Sequence, residues 1–330
     1  MNKPSKKRII YIVISISVII ILIAALLIHG FRNAEPDDTT NGLIGFTGYN
    51  LSLDFFASME QGIRYQAEKM NYDYIAFDQE SDETKLIASF KELIRREADA
   101  IIVCPINPDV LAPLVEQAHA KNIPVIINDI GGGQSDYDAI VVSDNWQGGQ
   151  LAADYLAEHL NSQAGSRKVA ILACEPTAIY AARRGEAFRQ YIEERGYIVV
   201  SEKTAYSRQE DGYIKMKEIL EEQPDIQAVF AENDLMAVGA ANALAEIERQ
   251  DIVIVGFDGA QPAIDAIRTG QMQATVMQNP EEMGRLTAKI ADQLLTDKPI
   301  NYSDAGKREV YVNVSLFTAE DISQFIEETQ

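Results

Sequence analysis

Apolar and polar positions follow each other along the chain as short apolar runs separated by longer amphipathic segments. The segment Ala228–Leu244 shows this order clearly. Its apolar run Ala228–Ala231 leads through Glu232-Asn233-Asp234 into an alanine-rich stretch with helical spacing. Continuous apolar runs are typical of strands that are covered on both faces, and amphipathic helices are the elements that cover them. The pattern therefore predicts repeated strand–helix units that build parallel sheets.

Two series of such units follow one another from Gly42 onward. The predicted strands are 43–47, 74–77, 100–104, 124–128 and 139–142 in the first series, and 168–173, 197–203, 228–231, 252–257, 274–278 and 309–316 in the second. The series predict an α/β fold of two doubly wound parallel-sheet lobes joined by a multi-strand hinge. We expect a first lobe of 42–143 plus 279–308 and a second lobe of 144–278 plus 309–330. The chain would then cross between lobes at Ser143-Asp144, Gln278-Asn279 and Lys307-Arg308.

The residues before Gly42 have a different pattern. Residues 1–8 are basic and lead into the uncharged apolar run Ile9–Ile28, which is long enough to span a bilayer as one helix. We predict a cytoplasmic tail (1–8), a single transmembrane anchor (9–29) and a polar tether (30–41), with the remaining chain outside the cell membrane. The alternative is a cleaved signal peptide, which usually has a shorter apolar core and small residues at its cleavage site.

The charge of the chain is unevenly distributed. Residues 1–33 hold five basic side chains and no acid, so 24 basic and 50 acidic residues remain, a balance of −26. Nucleic-acid partners need a basic surface, and we expect none here. The spacing of the two cysteines and three histidines suggests no metal site, and Cys104 and Cys174 are not expected to form a disulfide. No catalytic or phosphate-binding motif occurs, so we predict a protein without enzymatic activity or cofactor.

Eight segments, in order, resemble the type 1 periplasmic binding proteins for sugars, in the ribose- and galactose-binding group. These segments are Asp54-Phe55-Phe56, Pro105-Ile106-Asn107-Pro108, Ile123–Ile126, Val142–Asn145, Arg184–Phe188, Pro224–Asp234, Val255–Gly259 and Ala274–Gln278. The resemblance covers about residues 42–320. It implies two lobes that close over a small polar ligand, with aromatic rings against a sugar ring and polar side chains at its hydroxyls.

Carried over by position, the resemblance assigns ligand-binding residues to both lobes. In the first lobe they are Phe55, Phe56, Asn107 and Asp129; in the second lobe and hinge they are Asn233, Asp258 and Gln278. Taken alone, the aromatic pair would be core residues, and Asn107 and Asp258 would be turn residues. Their joint placement at strand ends favours a binding site, because ligands of open α/β sheets bind there.

Two features depart from the ribose-type pattern. Ile130 follows Asp129 where that pattern has an arginine, and the position of a second arginine falls on Ala182, with Arg183 adjacent as a substitute. An aromatic residue expected after the second lobe's second strand falls on a serine, with Tyr206 beside it. Loss of a bidentate arginine removes a rigid donor pair. We therefore include Arg183 and Tyr206 among the candidates and expect a ligand other than ribose bound in the usual way.

The expected partners are a sugar-like small molecule, the membrane through the N-terminal helix, and a membrane protein that reads the closed form. The leading interpretation is a monomeric, extracytoplasmic solute-binding protein that delivers its ligand to an ABC permease. The alternative is a ligand-sensing subunit that signals to a histidine kinase or chemoreceptor. Both fit an uncleaved anchor.

Overall fold

Two α/β lobes, each built on a six-stranded sheet, make up residues 42–322. The computed structural model describes residues 40–160 and 165–322, so the predicted tail, anchor and most of the tether lie outside the described residues. No helix in the described ranges is long and apolar enough to cross a membrane. Cys104 and Cys174 are both buried and free.

The sheet of the first lobe is entirely parallel, with strand order β11-β5-β4-β3-β1-β2. Its strands are β1 (Leu43–Gly48), β2 (Asp73–Asp78), β3 (Ala100–Val103), β4 (Val125–Asn128), β5 (Ala139–Ser143) and β11 (Glu309–Val312). The helices are α1 (Asp54–Lys69), α2 (Glu83–Arg95), α3 (Ala112–His119) and α9 (Pro280–Leu295), with a 3-10 turn at Pro108–Val110. Successive side chains of β3 enter cores on opposite faces, one under α1 and α9, the other under α2 and α3.

The sheet of the second lobe has the order β12-β10-β9-β8-β6-β7, and only its edge strand β12 is antiparallel. The strands are β6 (Lys168–Ala173), β7 (Ile198–Thr204), β8 (Ala228–Ala231), β9 (Val253–Asp258), β10 (Ala274–Met277) and β12 (Ser315–Thr318). The helices are α4 (Asn145–Leu160), α5 (Ile179–Glu194), α6 (Gln209–Glu222), α7 (Asp234–Glu246) and α8 (Gln261–Arg268). Chain order and sheet order match those of the first lobe, so β3 and β4 have their counterparts in β8 and β9.

The C-terminal strand differs from the prediction. A single strand at 309–316 was expected in the second lobe, whereas β11 pairs with β5 in the first sheet and β12 pairs with β10 in the second. The third crossing therefore lies between Val312 and Ser315, not at Lys307-Arg308. Aliphatic residues occupy every second position of this segment without a break, at Val310, Val312, Val314 and Leu316. Such a run is typical of one strand, and only the positions of the two sheets divide it.

Helix α9 returns from the second lobe and packs closely on α1. A Cβ atom at Gly62 would lie 2.1 Å from the carbonyl oxygen of Glu281, and one at Gly284 would lie 2.1 Å from that of Met59. The two helices thus meet through backbone at reciprocal glycines. This packing attaches the chain segment after the second crossing firmly to the first lobe.

Candidate ligand-binding cleft

The predicted polar residues occupy equivalent places in the two lobes. Asn107 follows β3 and Asn233 follows β8; Asp129 follows β4 and Asp258 ends β9. Both aspartates have positive φ, +69° and +119°. Positive φ is uncommon for residues other than glycine, and such residues concentrate at functional sites. Each sheet therefore presents the same asparagine–aspartate pair at its carboxyl edge.

Asp258 lies in a network that includes two crossing segments. Its Oδ1 accepts hydrogen bonds from Nη1 of Arg184 (3.1 Å) and Nε2 of Gln278 (2.7 Å). The hydroxyl of Ser143, at the end of β5, donates to Oε1 of Gln278 at 2.6 Å. Burial raises the pKa of Asp258, whereas Arg184 and Gln278 oppose the shift. The first and second crossings are thus joined to each other and to the cleft.

Arg184 is the arginine of the cleft, although the sequence interpretation did not select it. It is 8% exposed. Its Nε donates to Oδ1 of Asn145 (2.7 Å), its Nη1 donates to the carbonyl oxygen of Glu232 (2.7 Å), and its guanidinium lies 3.8 Å from the ring centroid of Phe257. These contacts fix the guanidinium beside Asp258. The signal that could have found it is its place in the Arg184-Gly185-Glu186 motif.

Asp129 has no comparable partners. Its backbone N–H donates to the carbonyl of Val141, but no side chain or backbone group of the described ranges hydrogen-bonds or ion-pairs with its carboxylate. Burial raises its pKa to about 6; the charge of Arg184 lowers it and that of Asp258 raises it. The carboxylate of Asp129 in the first lobe therefore lies within electrostatic range of Arg184 and Asp258 in the second lobe.

The predicted aromatic residues lie on the first lobe. Phe56 stacks on Tyr49 with ring centroids 4.8 Å apart, and Phe55 meets Phe56 edge-on at 5.2 Å. All three rings are partly buried against the core of the first lobe, as is Ile130. The rings and Ile130, which directly follows Asp129 in the chain, thus form an apolar group on this core.

The two asparagines begin helical segments. Oδ1 of Asn107 accepts from the N–H of Asp109, and its Nδ2 donates to Glu83. Oδ1 of Asn233 accepts from the N–H of Met236 at 3.0 Å and so caps α7. The cap uses Oδ1 of Asn233, and its Nδ2 makes no hydrogen bond with any of the residues that the structure describes.

Two of the candidates have contacts elsewhere. Both terminal nitrogens of Arg183 bind Glu309 of β11, at 2.8 and 2.9 Å, so its guanidinium faces the edge of the first sheet instead of Asp258. Tyr206 is 52% exposed and lies under the guanidinium of Arg208. Ser207, its neighbour, donates to Glu175. The structure therefore brings together Asp129, Asp258 and Gln278 with Arg184, and it does not bring Arg183 into that group.

Comparison with known proteins identifies the family. A model of the periplasmic binding protein domain matches residues 44–299. The ribose import binding protein of Bacillus subtilis (strain 168) is 33% identical over 270 residues, which cover 81% of this chain and 87% of that protein. The chain belongs to the periplasmic binding protein family. Membership confirms the prediction of a binding protein that is not an enzyme.

Solved structures of other periplasmic binding proteins confirm the two-lobe α/β fold. A periplasmic ribose ABC transporter protein from Conexibacter woesei DSM 14684 has a TM-score of 0.78 and 26% identity, covering 88% of this chain and 96% of that one. An ABC transporter solute binding protein from Bacillus halodurans C-125, solved with myo-inositol, has a TM-score of 0.73 and 28% identity, covering 88% and 99%.

Two further acids of this periplasmic binding protein, Glu232 and Asp234, lie near Arg184 and Asp258. Oε2 of Glu232 accepts from the N–H of Cys174 at 2.7 Å, and burial raises its pKa to about 7. The carboxylate of Asp234 accepts from Thr275 and from the N–H of Ala260, both at 2.7 Å. Burial, followed by the nearby charge of Asp258, raises the pKa of Asp234 well above its usual value. These acids support the cleft from within the second lobe.

Proposed function

We propose that this protein captures a sugar or sugar-like polar molecule between its lobes and delivers it to an ABC permease. The observation that carries the proposal is the repeated asparagine–aspartate pair at the carboxyl edges of both sheets, with an aromatic surface on one side. Ligands of open α/β folds bind at this edge. The relatives that bind ribose or carry myo-inositol share the fold over most of the chain.

The geometry supports distinct roles for the two lobes. Phe55 and Phe56 cover the C–H face of a ring, since aromatic faces suit such surfaces. The unpartnered carboxylate of Asp129 accepts from ligand hydroxyls, because a carboxylate is an acceptor only. On the second lobe, Asn233 donates through Nδ2, and Asp258 accepts through Oδ2, since Arg184 and Gln278 both contact Oδ1.

The ligand we propose is not ribose bound in the usual way. Ile130 adds to the apolar surface at a position where the ribose-type pattern has an arginine, and the guanidinium of Arg183 is bound to Glu309. A ligand that presents fewer hydroxyls toward the first lobe suits this surface. Residues 9–29 would hold the protein at the outer face of the cell membrane, where the lobes meet the permease.

A thermal-shift screen of the full-length chain in detergent tests the proposal, with pentoses, hexoses, deoxysugars and polyols as probes. A sugar at about 100 times its Kd adds ~2.7 kcal/mol to the free energy of unfolding. We expect stereospecific stabilisation that Asp129→Asn removes. Asp297→Asn is the matched control, because Asp297 is exposed and also has positive φ (+51°). A panel without any shift contradicts sugar binding.

A further inference from the structure

Glu309 is a buried acid whose partners come from both lobes. It is 1% exposed at the start of β11, in the first sheet. Arg183 of α5, in the second lobe, donates from Nη1 to Oε2 (2.9 Å) and from Nη2 to Oε1 (2.8 Å). Tyr180, also on α5, donates to Oε1 at 3.1 Å, and Tyr311 of β11 donates to Oε2 at 2.7 Å. Three of the four hydrogen bonds therefore cross between lobes.

The same turn of α5 packs into the first lobe. The ring of Tyr180 is buried within the core beneath α2 and α3. The guanidinium of Arg183 lies 4.4 Å from the centroid of that ring. Opposite the ring is Gly131, with φ +119°, where a Cβ atom would lie only 3.1 Å from Cε2 of Tyr180. Because Gly131 has no side chain, the ring of Tyr180 fits against its backbone.

Separating the lobes would remove most of this support. Burial raises the pKa of Glu309, but hydrogen bonds from Arg183, Tyr311 and Tyr180 lower it, and the net direction is downward. The carboxylate is thus ionised at neutral pH. A buried charge that loses its partner is strongly unfavourable unless water replaces the lost bonds. Opening the lobes therefore breaks the three interlobe bonds and requires water to hydrate Glu309 in their place.

The contact at Glu309 lies at a distance from the crossings, and a rotation of the lobes displaces it more than it displaces the crossings. Val312 pairs with Ser143 at the end of β5, whereas Glu309 pairs with Ile140, three residues back. Three residues of strand correspond to ~10 Å. A rotation about the crossings displaces atoms in proportion to their distance from the axis, so it separates α5 from Glu309 more than it moves the crossings. The contact is therefore sensitive to the angle between the lobes.

We propose that Tyr180, Arg183 and Glu309 form an interlobe clamp that sets the balance between lobe arrangements and thereby positions the cleft. Arg183 and Tyr180 are positioning residues. The clamp holds the first turn of α5 against the first lobe, and the next residue, Arg184, holds Asp258 and Asn145. Cleft geometry and lobe angle are thus linked through one helical turn. The clamp does not depend on the chemistry of the ligand.

The distance between the cleft rims tests the clamp without any ligand. Spin labels at Ser52→Cys and Gln209→Cys report it in the full-length chain in detergent, because both residues are exposed and each lies after the carboxyl end of a strand, β1 in one lobe and β7 in the other, while the native cysteines stay buried. With Arg183→Ala or Glu309→Gln we expect the population at longer distance to rise about tenfold or more, since removing one partner of a buried ion pair leaves the other uncompensated in the arrangement that buries it. The double variant should shift the population by less than the two single effects combined, because either change already breaks the same pair.

Arg189→Ala is the matched control. Arg189 is also on α5, but its partner Glu202 belongs to the same lobe. We expect its distance distribution to equal that of the unchanged chain. Arg183→Lys keeps the charge without the bidentate geometry and should fall between Arg183→Ala and the unchanged chain, which provides a test should the alanine variant not fold. If the distance distributions of both Glu309→Gln and Arg183→Lys equal that of the unchanged chain, the clamp is overturned. The proposal that the protein binds a sugar would stand in that case.

Discussion

Arg184→Ala removes the side chain that joins the most groups in the cleft. Its loss leaves Oδ1 of Asn145, the carbonyl of Glu232 and the carboxylate of Asp258 without their common donor. Removing one partner of a buried ion pair costs about 3–5 kcal/mol. The side chain of Asp258 is 30% exposed, so water recovers part of this cost, and we expect a loss of ~3 kcal/mol in the free energy of unfolding.

Urea unfolding of the full-length chain in detergent measures this loss. Trp146, the single tryptophan, lies in the first turn of α4 beside the first crossing and provides the fluorescence signal. Arg208→Ala is the control: its pair with Asp211 is at the surface, where ion pairs contribute about 0–1 kcal/mol. A double-mutant cycle with Asp258→Asn isolates the pair. A loss for Arg184→Ala no larger than that for Arg208→Ala would refute the reasoning.

Three further predictions concern single residues. In the unchanged chain, the free energy of unfolding should fall by up to ~3 kcal/mol between pH 4.5 and about 7, because the folded state keeps a proton on Glu232 there that the unfolded state has lost. Glu232→Gln should remove this fall, and urea unfolding at several pH values measures it. Ile130→Arg should add affinity for D-ribose, by calorimetry, since it supplies a bidentate donor beside Asp129. Asn233→Ala should cost ~1 kcal/mol of stability through the lost cap of α7, and it should also weaken binding of any sugar found in the screen.

The sequence contained enough information for the lobes and for half of the cleft. Apolar runs such as Ala100–Val103 identify strands, and the carboxyl ends of parallel strands share one edge. The resemblance to sugar-binding proteins selected Asp129, Asp258 and Gln278, and the strand pattern supported the choice because each of the three follows or ends a predicted strand.

The arginines needed the structure. Arg183 and Arg184 are adjacent, so their side chains leave α5 about 100° apart, and sequence spacing does not say which one faces the cleft. Packing decides it: Gly185 lies against Glu232, where a Cβ atom would be 2.2 Å from Oε1. This close approach turns Arg184 toward Asp258 and Arg183 toward Glu309. The break between β11 and β12 was hidden for a similar reason, since two sheets and not the local pattern divide that run.

Helix α5 contacts two polar networks, through Arg184 and through Arg183, and a lobe rotation affects the two differently. The bonds among Ser143, Gln278 and Asp258 lie at the crossings, where displacements are small, so they can persist as the lobes move. The hydrogen bonds of Glu309 lie farther from the crossings, where displacements are larger, so they do not persist when the lobes rotate apart. A ligand that bridges Asp129 and Asp258 therefore acts in the same direction as Arg183, because both hold the lobes together. The measured affinity should therefore depend on both the ligand's bridge and the clamp. If the clamp is weaker, the ligand's own contacts must supply more of the free energy that holds the lobes together.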